Sequence, residues 1–403
     1  MKYLKTFAAI SLAGAMLVTG CGAPKPPSAA DTPAGEVALP AEPLTINVVD
    51  VAGNLQLSQK IFDNYQKEHP ELVKEFTFQK VNAPELVGKL QAQQKAGRLD
   101  IDLVLTGSDG MASGLKQDVW YDVLGQQKDK LPDPATIYDE NVSKFQQLAK
   151  GKGLSFVFYP GGPLLEFDPA KVPAPPKTPQ ELLAWAKANP NKFFYARPAN
   201  SGIGRAFLMG LPYMLGDKDP KDPVNGWEKT WAYLAELNQY IDYYPTGTAQ
   251  TMTELAQGNR WMIPTTTGWD INPRAIGQVP AGMEVSAFDN FTWVGDGHFM
   301  TVPKGIQGDR LAVVMDFMKY ALQPEQQAYT YDSGYLYPGP AVKDVPLTMA
   351  PQESQDLIKE FGRPIYDELI KSQPLEIPLE ADAMVSAFDL WDRNIGGAKV
   401  EKK

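Results

Sequence analysis

Hydrophobic and polar positions follow a regular order after residue 43. The alternating, β-branched run Leu44–Val49 predicts a strand, and apolar residues at helical spacing within Leu57–His69 predict a helix. A second strand (Phe76–Val81), a second helix (Pro84–Gly97) and an almost wholly apolar third strand (Ile101–Leu105) follow. The alternation of strands and helices predicts a parallel, doubly wound α/β sheet.

The middle of the chain continues with extended runs and capped helices. Gly153–Phe158 and Leu164–Phe167 predict strands, and Thr178 is placed as the N-cap of a helix. A predicted strand at Phe193–Ala196 runs into a Gly/Ser loop that opens another helix, and a further helix is predicted over Trp227–Ile241. The pattern therefore stays α/β along most of the chain.

The N-terminus has the order of a secretory signal. Lysines precede the apolar run Thr6–Val18, which is too short for a comfortable membrane span. The run ends in Val-Thr-Gly-Cys21, which resembles a bacterial lipobox, so the resemblance implies a lipoprotein signal peptide over residues 1–20 and lipidation of Cys21. The alternative is an ordinary signal peptide with a chance cysteine. Residues 21–43, rich in Pro and Ala, predict a disordered tether to the membrane.

Composition narrows the class of protein. The formal net charge of −10 argues against a nucleic-acid partner, which requires a basic surface. Hydrophobic residues make up 43% of the chain, enough for two lobes of ordinary size. Cys21 is the single cysteine and histidine occurs twice, so the sequence predicts no disulfide, no metal site and no cofactor.

Two long stretches resemble a known family. The first, VFYPGGPLLEFDPAKVPAPPKTPQELLAWAKANPNKFFYARP, resembles the first interlobe crossing of extracellular solute-binding proteins of ABC importers. MIPTTTGWDINPRAIGQVPAGMEVSAF and HFMTVPKGIQGDRLAVVMDFMKYALQPEQQAYTYDSGYLYPGP resemble the return and third crossings. Phe167-Asp168 stands where the family often has Tyr-Asn, and Pro179 where it often has Trp. The likeness is greatest to the YnjB-type branch, near receptors for polyamines, thiamine, iron and phosphonates.

This resemblance implies a two-lobed type II periplasmic-binding-protein fold, with doubly wound mixed sheets joined by hinge strands. We place the first lobe at Leu44–Tyr159 with Pro264–Tyr337, the second at Pro160–Ile263 with Pro338–Ile395, and a tail at residues 396–403. The family performs no catalysis. Its members capture a small solute outside the cytoplasm and pass it to the permease subunits of an ABC transporter, which gives the expected location and partners.

The loop before the helix at Phe207 is one candidate ligand contact. Asn200 and Ser201 offer side-chain and backbone donors, and Arg205 lies on the first helical turn. A helix N-terminus favours an anion, and arginine can clamp a carboxylate or phosphate with two parallel hydrogen bonds. The alternative is a surface or interlobe arginine beside a well-capped helix.

The predicted return crossing is a second candidate. Thr266 and Thr267 supply hydroxyls, Trp269 a flat face for an aromatic or cationic group, and Asp270 a partner for an amine. Alternatively, Trp269 packs beneath the hinge and Asp270 caps the next helix. Together the two loops favour an anionic or zwitterionic solute.

Four further residues are candidate ligand contacts. Ser108 follows a buried strand in a Gly/Ser loop that also fits a plain turn, Tyr159 marks the first crossing, and Tyr335 flanks the third. Trp293 precedes Asp296 and His298, which resemble an acid–base pair without a nucleophile and favour a structural role. Tyr243-Tyr244 could imitate a ferric phenolate pair, but it closes a helix before a proline, which favours packing.

Three classes of function remain. A solute receptor without catalysis fits the resemblance best. An extracytoplasmic hydrolase would need a GxSxG elbow or a recognisable nucleophile–base pair, and the sequence has neither. A lipoprotein that uses the receptor fold for adhesion or sensing is the remaining alternative, because a fold alone does not fix a function.

Overall fold

The structure is a computed structural model that describes residues 39–51, 53–306 and 308–400. The predicted signal peptide, Cys21 and nearly all of the predicted tether lie outside the described residues. Within the described ranges, no helix is both long and apolar enough to cross a membrane.

The strands of the described residues are β1 (Leu44–Asp50), β2 (Val73–Lys80), β3 (Leu103–Gly107), β4 (Gly153–Gly162), β5 (Leu164–Phe167), β6 (Met262–Thr265), β7 (Glu284–Ala287), β8 (Trp293–Thr301), β9 (Gly339–Pro340) and β10 (Leu375–Glu376).

The α-helices are α1 (Leu55–Glu68), α2 (Ala83–Lys95), α3 (Ser108–Lys116), α4 (Val123–Gln126), α5 (Pro134–Ile137), α6 (Glu140–Gln147), α7 (Pro179–Ala188), α8 (Gly202–Leu215), α9 (Glu228–Leu237), α10 (Thr248–Ala256), α11 (Ile271–Ala275), α12 (Gly308–Ala321), α13 (Pro324–Gln327), α14 (Gln352–Phe361), α15 (Pro364–Ser372) and α16 (Ala381–Asn394).

The larger sheet has the strand order β2-β1-β3-β8-β4-β9, with β10 beside β8. β1 runs parallel to β2 and β3, with Val48 opposite Phe78 on one side and Leu103 on the other. β8 is antiparallel to both β3 and β4. The predicted strand-helix alternation therefore forms the parallel half of the sheet, and a late strand from the second half of the chain makes the sheet mixed.

The smaller sheet has the order β6-β5-β7, with both pairings antiparallel. Its central strand β5 follows β4 after a single residue, Pro163, so the chain passes directly from one sheet to the other. The α/β, two-sheet architecture agrees with the predicted fold class.

Two hydrophobic cores surround these sheets. In the first core, around the larger sheet, the rings of Phe62 and Phe317 stack with centroids 4.3 Å apart. In the second core, around the smaller sheet, Tyr195, Tyr244 and Trp391 pack edge to face. Tyr244 also donates from its hydroxyl to Asn238 Oδ1 (3.0 Å), so it is a buried packing residue.

Three predicted elements differ from the structure. The Gly/Ser segment after β3 is already helical from Ser108, because α3 begins directly at the end of the strand. Phe193–Ala196 is not a strand, since its one ladder contact is a single bridge between Phe193 and Met262. The helix predicted over Trp227–Ile241 is shorter, because α9 ends at Leu237 and a 3₁₀ turn follows.

The sheets divide the chain differently from the predicted lobe bounds at three places. β10 falls inside the predicted second lobe but pairs with β8 in the larger sheet. β7 falls inside the predicted first lobe but pairs with β5 in the smaller sheet. β9 falls inside the predicted second lobe but pairs with β4 in the larger sheet. The lobe bounds themselves stay a prediction.

Candidate functional site

A cleft of about 680 Å³ lies at the carboxyl ends of the three parallel strands. Val51 directly follows β1, Lys80 ends β2, and Asp109 comes two residues after β3. Ligands of open α/β sheets bind at this edge, and small-molecule sites typically occupy about 300–1,000 Å³. The position and size of the cleft both fit a metabolite.

Helix N-termini from both cores open on the cleft. Asn82 and Ala83 begin α2, which packs in the first core, and Gly202 and Ile203 begin α8 in the second core. The stretch Gly247–Gln250 begins α10, whose first turn has no side-chain cap. Unbonded N–H groups at helix starts carry partial positive charge, so these three termini favour an anionic group.

Arg205 lies in the cleft wall between two carboxylates. Its Nη2 donates to Asp296 Oδ2 (2.7 Å), and its Nη1 lies 3.2 Å from Asp109 Oδ2. The arginine side chain is 5% exposed, and its Nε and Nη1 donate no hydrogen bond to any described residue. Burial lowers the pKa of Arg205, but the charges of Asp296 and Asp109 outweigh burial and raise it above the usual range.

His298 lies beside this ion cluster and lines the cleft. Asn54 Nδ2 lies 2.9 Å from His298 Nδ1, and with the amide in this orientation the ring proton sits on Nε2. Burial lowers the pKa of His298 to about 4, against the smaller opposing effect of Asp296 and Asp109. The ring is therefore neutral at physiological pH and adds no positive charge to the cluster.

Aromatic side chains form another part of the wall. The rings of Trp269 and Tyr335 are half-buried, with centroids 5.2 Å apart and planes tilted by 51°. Tyr159 is buried at the crossing from β4, and burial raises the pKa of its hydroxyl well above the usual range. These surfaces offer apolar contact and ring faces for a flat or cationic group.

Some predicted contacts line the cleft directly. The structure brings together Tyr159, Asn200, Arg205, Trp269 and Tyr335. Asn200 donates from Nδ2 to the carbonyl of Thr246 (2.9 Å), which holds the loop before α8 against the segment before α10. Whether each of these residues contacts solute stays a prediction.

Two predicted serines lie just behind the cleft wall. Ser108 is buried and donates from Oγ to Asp296 Oδ1 (2.9 Å). Ser201 is the N-cap of α8: its Oγ accepts from the backbone N–H of Gly204 (3.0 Å) and lies 2.7 Å from Thr248 Oγ1. Both serines position groups of the cleft wall and do not line it.

The remaining predicted residues are buried away from the cleft. Thr266 and Thr267 are buried in the segment after β6, and their hydroxyls have no partner among the described residues. Asp270 is fully buried and accepts from Arg363 Nε (2.7 Å), Arg274 Nη2 (3.1 Å) and the Tyr366 hydroxyl. Trp293 is also fully buried.

Trp293 donates from Nε1 to the carbonyl of Leu369 (3.0 Å), so its polar edge is used inside the second core. The structure brings neither Trp293 nor Asp270 to the cleft, because Trp293 bonds to α15 and Asp270 bonds to Arg274 on α11 and to Arg363 and Tyr366 at the start of α15.

Sequence reasoning missed several residues of the cleft. Lys80 and Asn82 lie at the carboxyl end of the predicted second strand and Asp109 follows the predicted third strand, and this position was the signal that could have found them. Thr248 and Gln250 lie in the first turn of α10, which the sequence analysis did not single out. Among the described residues no group of three His, Cys, Asp or Glu side chains is placed to hold a metal ion.

The comparison with protein families decides the class of protein. Residues 60–359 match the bacterial extracellular solute-binding protein family. The chain belongs to this family. The family resemblance seen in the sequence is therefore confirmed, and membership of an extracellular family gives this solute-binding protein an extracytoplasmic location.

Individual relatives agree with this assignment. The solute-binding protein is 29% identical over 197 residues to Protein YnjB of Escherichia coli, a match that covers 46% of this chain and 48% of YnjB. The chain thus spans about half the length of this curated relative.

Solved structures share the fold. A putative spermidine/putrescine ABC transporter protein from Listeria monocytogenes has a TM-score of 0.60 at 14% identity, covering 86% of this chain and 96% of that one. The periplasmic binding protein AfuA from Actinobacillus pleuropneumoniae, solved with fructose-6-phosphate, has a TM-score of 0.63 at 13% identity, covering 87% and 98%. At these identities the likeness shows the two-lobed periplasmic-binding-protein fold alone.

Proposed function

We propose that this solute-binding protein is the receptor of an ABC importer, which captures a small anionic or zwitterionic solute in the cleft and delivers it to the permease subunits. The observation that carries the proposal is that both hydrophobic cores contribute to one cleft wall. Lys80 and Asp109 belong to elements of the first core, whereas Gly202–Arg205 and Thr248 belong to elements of the second. A solute held there contacts both bodies at once.

Hinge closure is the mechanism that this arrangement favours. The chain passes from the larger sheet to the smaller one at Pro163 and returns between β7 and β8, so the two bodies can rotate about short connections. A solute that makes contacts with both bodies stabilises the closed form, because only that form satisfies both sets of contacts. The permease then binds the closed surface in preference to the open one.

Attachment to the membrane completes the proposal. The lipobox resemblance at Cys21 and the Pro/Ala-rich residues 21–43 support a lipid anchor with a tether. Such an anchor would keep the receptor near the permease at the outer face of the cytoplasmic membrane or in the periplasm.

Thermal shift and small-angle scattering test the receptor function. A metabolite library should contain one chemical class that raises the melting temperature, since a ligand at a hundred times its dissociation constant adds about 2.7 kcal/mol of stability. The strongest stabiliser should also reduce the radius of gyration. A protein that responds to no metabolite would instead favour a role in adhesion or sensing.

A further inference from the structure

The ion cluster around Arg205 holds more negative than positive groups. Asp109 and Asp296 share the single guanidinium, with contacts of 3.2 Å and 2.7 Å. Ser108 and the backbone N–H of Gly297 donate to Asp296, but neither carries a charge. His298 faces the same cluster as a neutral ring. Among the described residues, the cluster therefore contains one more carboxylate than it contains cations.

Asp109 is the carboxylate of this pair that reaches the cleft. It lines the cleft and its side chain is 13% exposed, whereas the Asp296 side chain is 5% exposed. Asp109 Oδ1 accepts from the N–H of Gly110 and Oδ2 faces Arg205, so each oxygen keeps further accepting capacity. Tyr159 and Trp269 line the same cleft with aromatic surface, which favours a cation. An ammonium group bound here would balance the charge.

The opposite preference holds in another part of the cleft. Lys80 lines it, and its charge also acts on the buried Asp50 carboxylate, whose pKa is raised by burial and lowered by Lys80. The nearby Asp50 carboxylate accepts from the backbone N–H of Asn54 (2.9 Å) and Leu55 (3.4 Å) at the start of α1. The uncapped first turns of α2 and α10 line the cleft as well. A lysine that reaches the cleft, together with two helix N-termini, favours an anionic group.

We infer that the solute is a zwitterion whose ammonium group binds at Asp109 and whose carboxylate, phosphonate or phosphate binds between Lys80 and the first turns of α2 and α10. This inference rests on the proposed receptor function and names the chemical class of its solute. A purely anionic solute leaves the Arg205 cluster unbalanced, and a purely cationic one makes no use of Lys80 and the helix termini. Arg205 then positions Asp109 and is not itself the anchor of the anionic group.

The first experiment sorts the thermal-shift library by charge. The probes include matched sets that share a skeleton: 2-aminoethylphosphonate with ethylphosphonate and ethylamine, and phenylalanine with 3-phenylpropionate and 2-phenylethylamine. The strongest stabilisers of the purified protein should be zwitterions, and each should lose its effect when either charge is removed. If the strongest stabilisers are anions, cations or uncharged sugars, the protein is still a receptor but the inference is overturned. If no compound stabilises the protein, both the inference and the receptor function fail.

The second experiment assigns each charge to its residue by calorimetry with the strongest zwitterion. Asp109→Asn should weaken binding by about tenfold or more, and should narrow the difference in affinity between the zwitterion and its analogue without the amine. Lys80→Gln should instead narrow the difference between the zwitterion and its analogue without the anionic group. Lys74→Gln, on the exposed part of the same strand β2, is the matched control and should bind as the wild type does.

The difference in affinity between the zwitterion and its analogue shows whether a variant has lost a specific contact or has a damaged fold. A merely structural effect of Asp109→Asn would weaken both compounds by the same factor, and that result would overturn the assignment of the ammonium site. Equal weakening of both compounds by Lys80→Gln would overturn the assignment of the anion site in the same way.

Discussion

Arg205 on α8 and Asp296 on β8 are joined by a buried ion pair, with Nη2 and Oδ2 2.7 Å apart and both side chains 5% exposed. The pair links a helix of the second core to the strand between β3 and β4 in the larger sheet. It therefore holds together the two bodies that form the cleft.

Removal of Arg205 should destabilise the fold. Arg205→Ala leaves Asp296 buried without its cation, and breaking a buried pair typically costs about 3–5 kcal/mol. Denaturant unfolding measures the loss, and the double variant Arg205→Ala with Asp296→Asn should recover part of it because one buried charge is removed. Unchanged stability together with lost solute binding would show that Arg205 is instead a direct ligand contact.

Asp270 should matter for stability more than for solute binding. Asp270→Asn removes the carboxylate that accepts from Arg274 and Arg363, so we expect a loss of about 3–5 kcal/mol in the free energy of unfolding. Calorimetry at low temperature should still detect binding by the fraction that stays folded. Asp289→Asn, at an exposed aspartate, is the control and should leave stability unchanged. If the Asp270→Asn protein is stable but no longer binds solute, Asp270 is a ligand contact after all.

Stability should fall at mildly acid pH because of His298. An unfolded histidine takes up a proton near pH 6.5, whereas burial lowers the pKa of His298 to about 4 in the folded state. The contribution of this neutral ring is fully present above pH 6.5 and is lost as the pH falls from 6.5 to about 4, by up to roughly 3 kcal/mol.

The variant His298→Gln should flatten this part of the stability profile, since an amide oxygen can still accept from Asn54 and does not titrate. Urea unfolding at a series of pH values measures it. The matched control is His69→Gln, at the end of α1, in which the fall should persist because His298 is intact. An equally steep profile in His298→Gln would assign the acid sensitivity to other groups.

Lipidation should depend on Cys21. Cys21→Ser removes the sulfur that would carry the lipid, so acyl labelling should disappear and the protein should leave the membrane fraction or accumulate as a precursor. Ser28→Ala, within the predicted tether, should be labelled like the wild type. Continued labelling of Cys21→Ser would contradict the lipobox assignment.

Local patterns in the sequence identified the parallel half of the larger sheet. β1, α1, β2, α2 and β3 appear in the predicted order, because the spacing of apolar residues within each element fixes which face is buried. Helix capping was equally local. Thr178 accepts from the N–H of Glu181 at the start of α7, as its position before a proline predicted.

These local patterns did not predict the strand order of the complete larger sheet. β8 inserts between β3 and β4 although it lies far along the chain from both. Such a pairing depends on how the two bodies pack and not on the periodicity of the strand itself. The same holds for Phe193–Ala196, whose strand-like composition did not place it in a ladder.

The sequence by itself determined the class of fold and the family, and it found the loops near the cleft. Only the tertiary structure decided which polar side chains reach the cleft. Asp109 and Asp270 both lie at the start of a helix that follows a strand: Asp109 is the second residue of α3, and Asp270 is the N-cap of α11. Asp270 is buried because Arg363, 93 residues away, binds its carboxylate, whereas Asp109 borders the cleft opposite Arg205. Partners so distant in the chain leave no pattern in the local sequence. An aspartate in a similar local setting can therefore be buried in the core in one place and line the cleft in another.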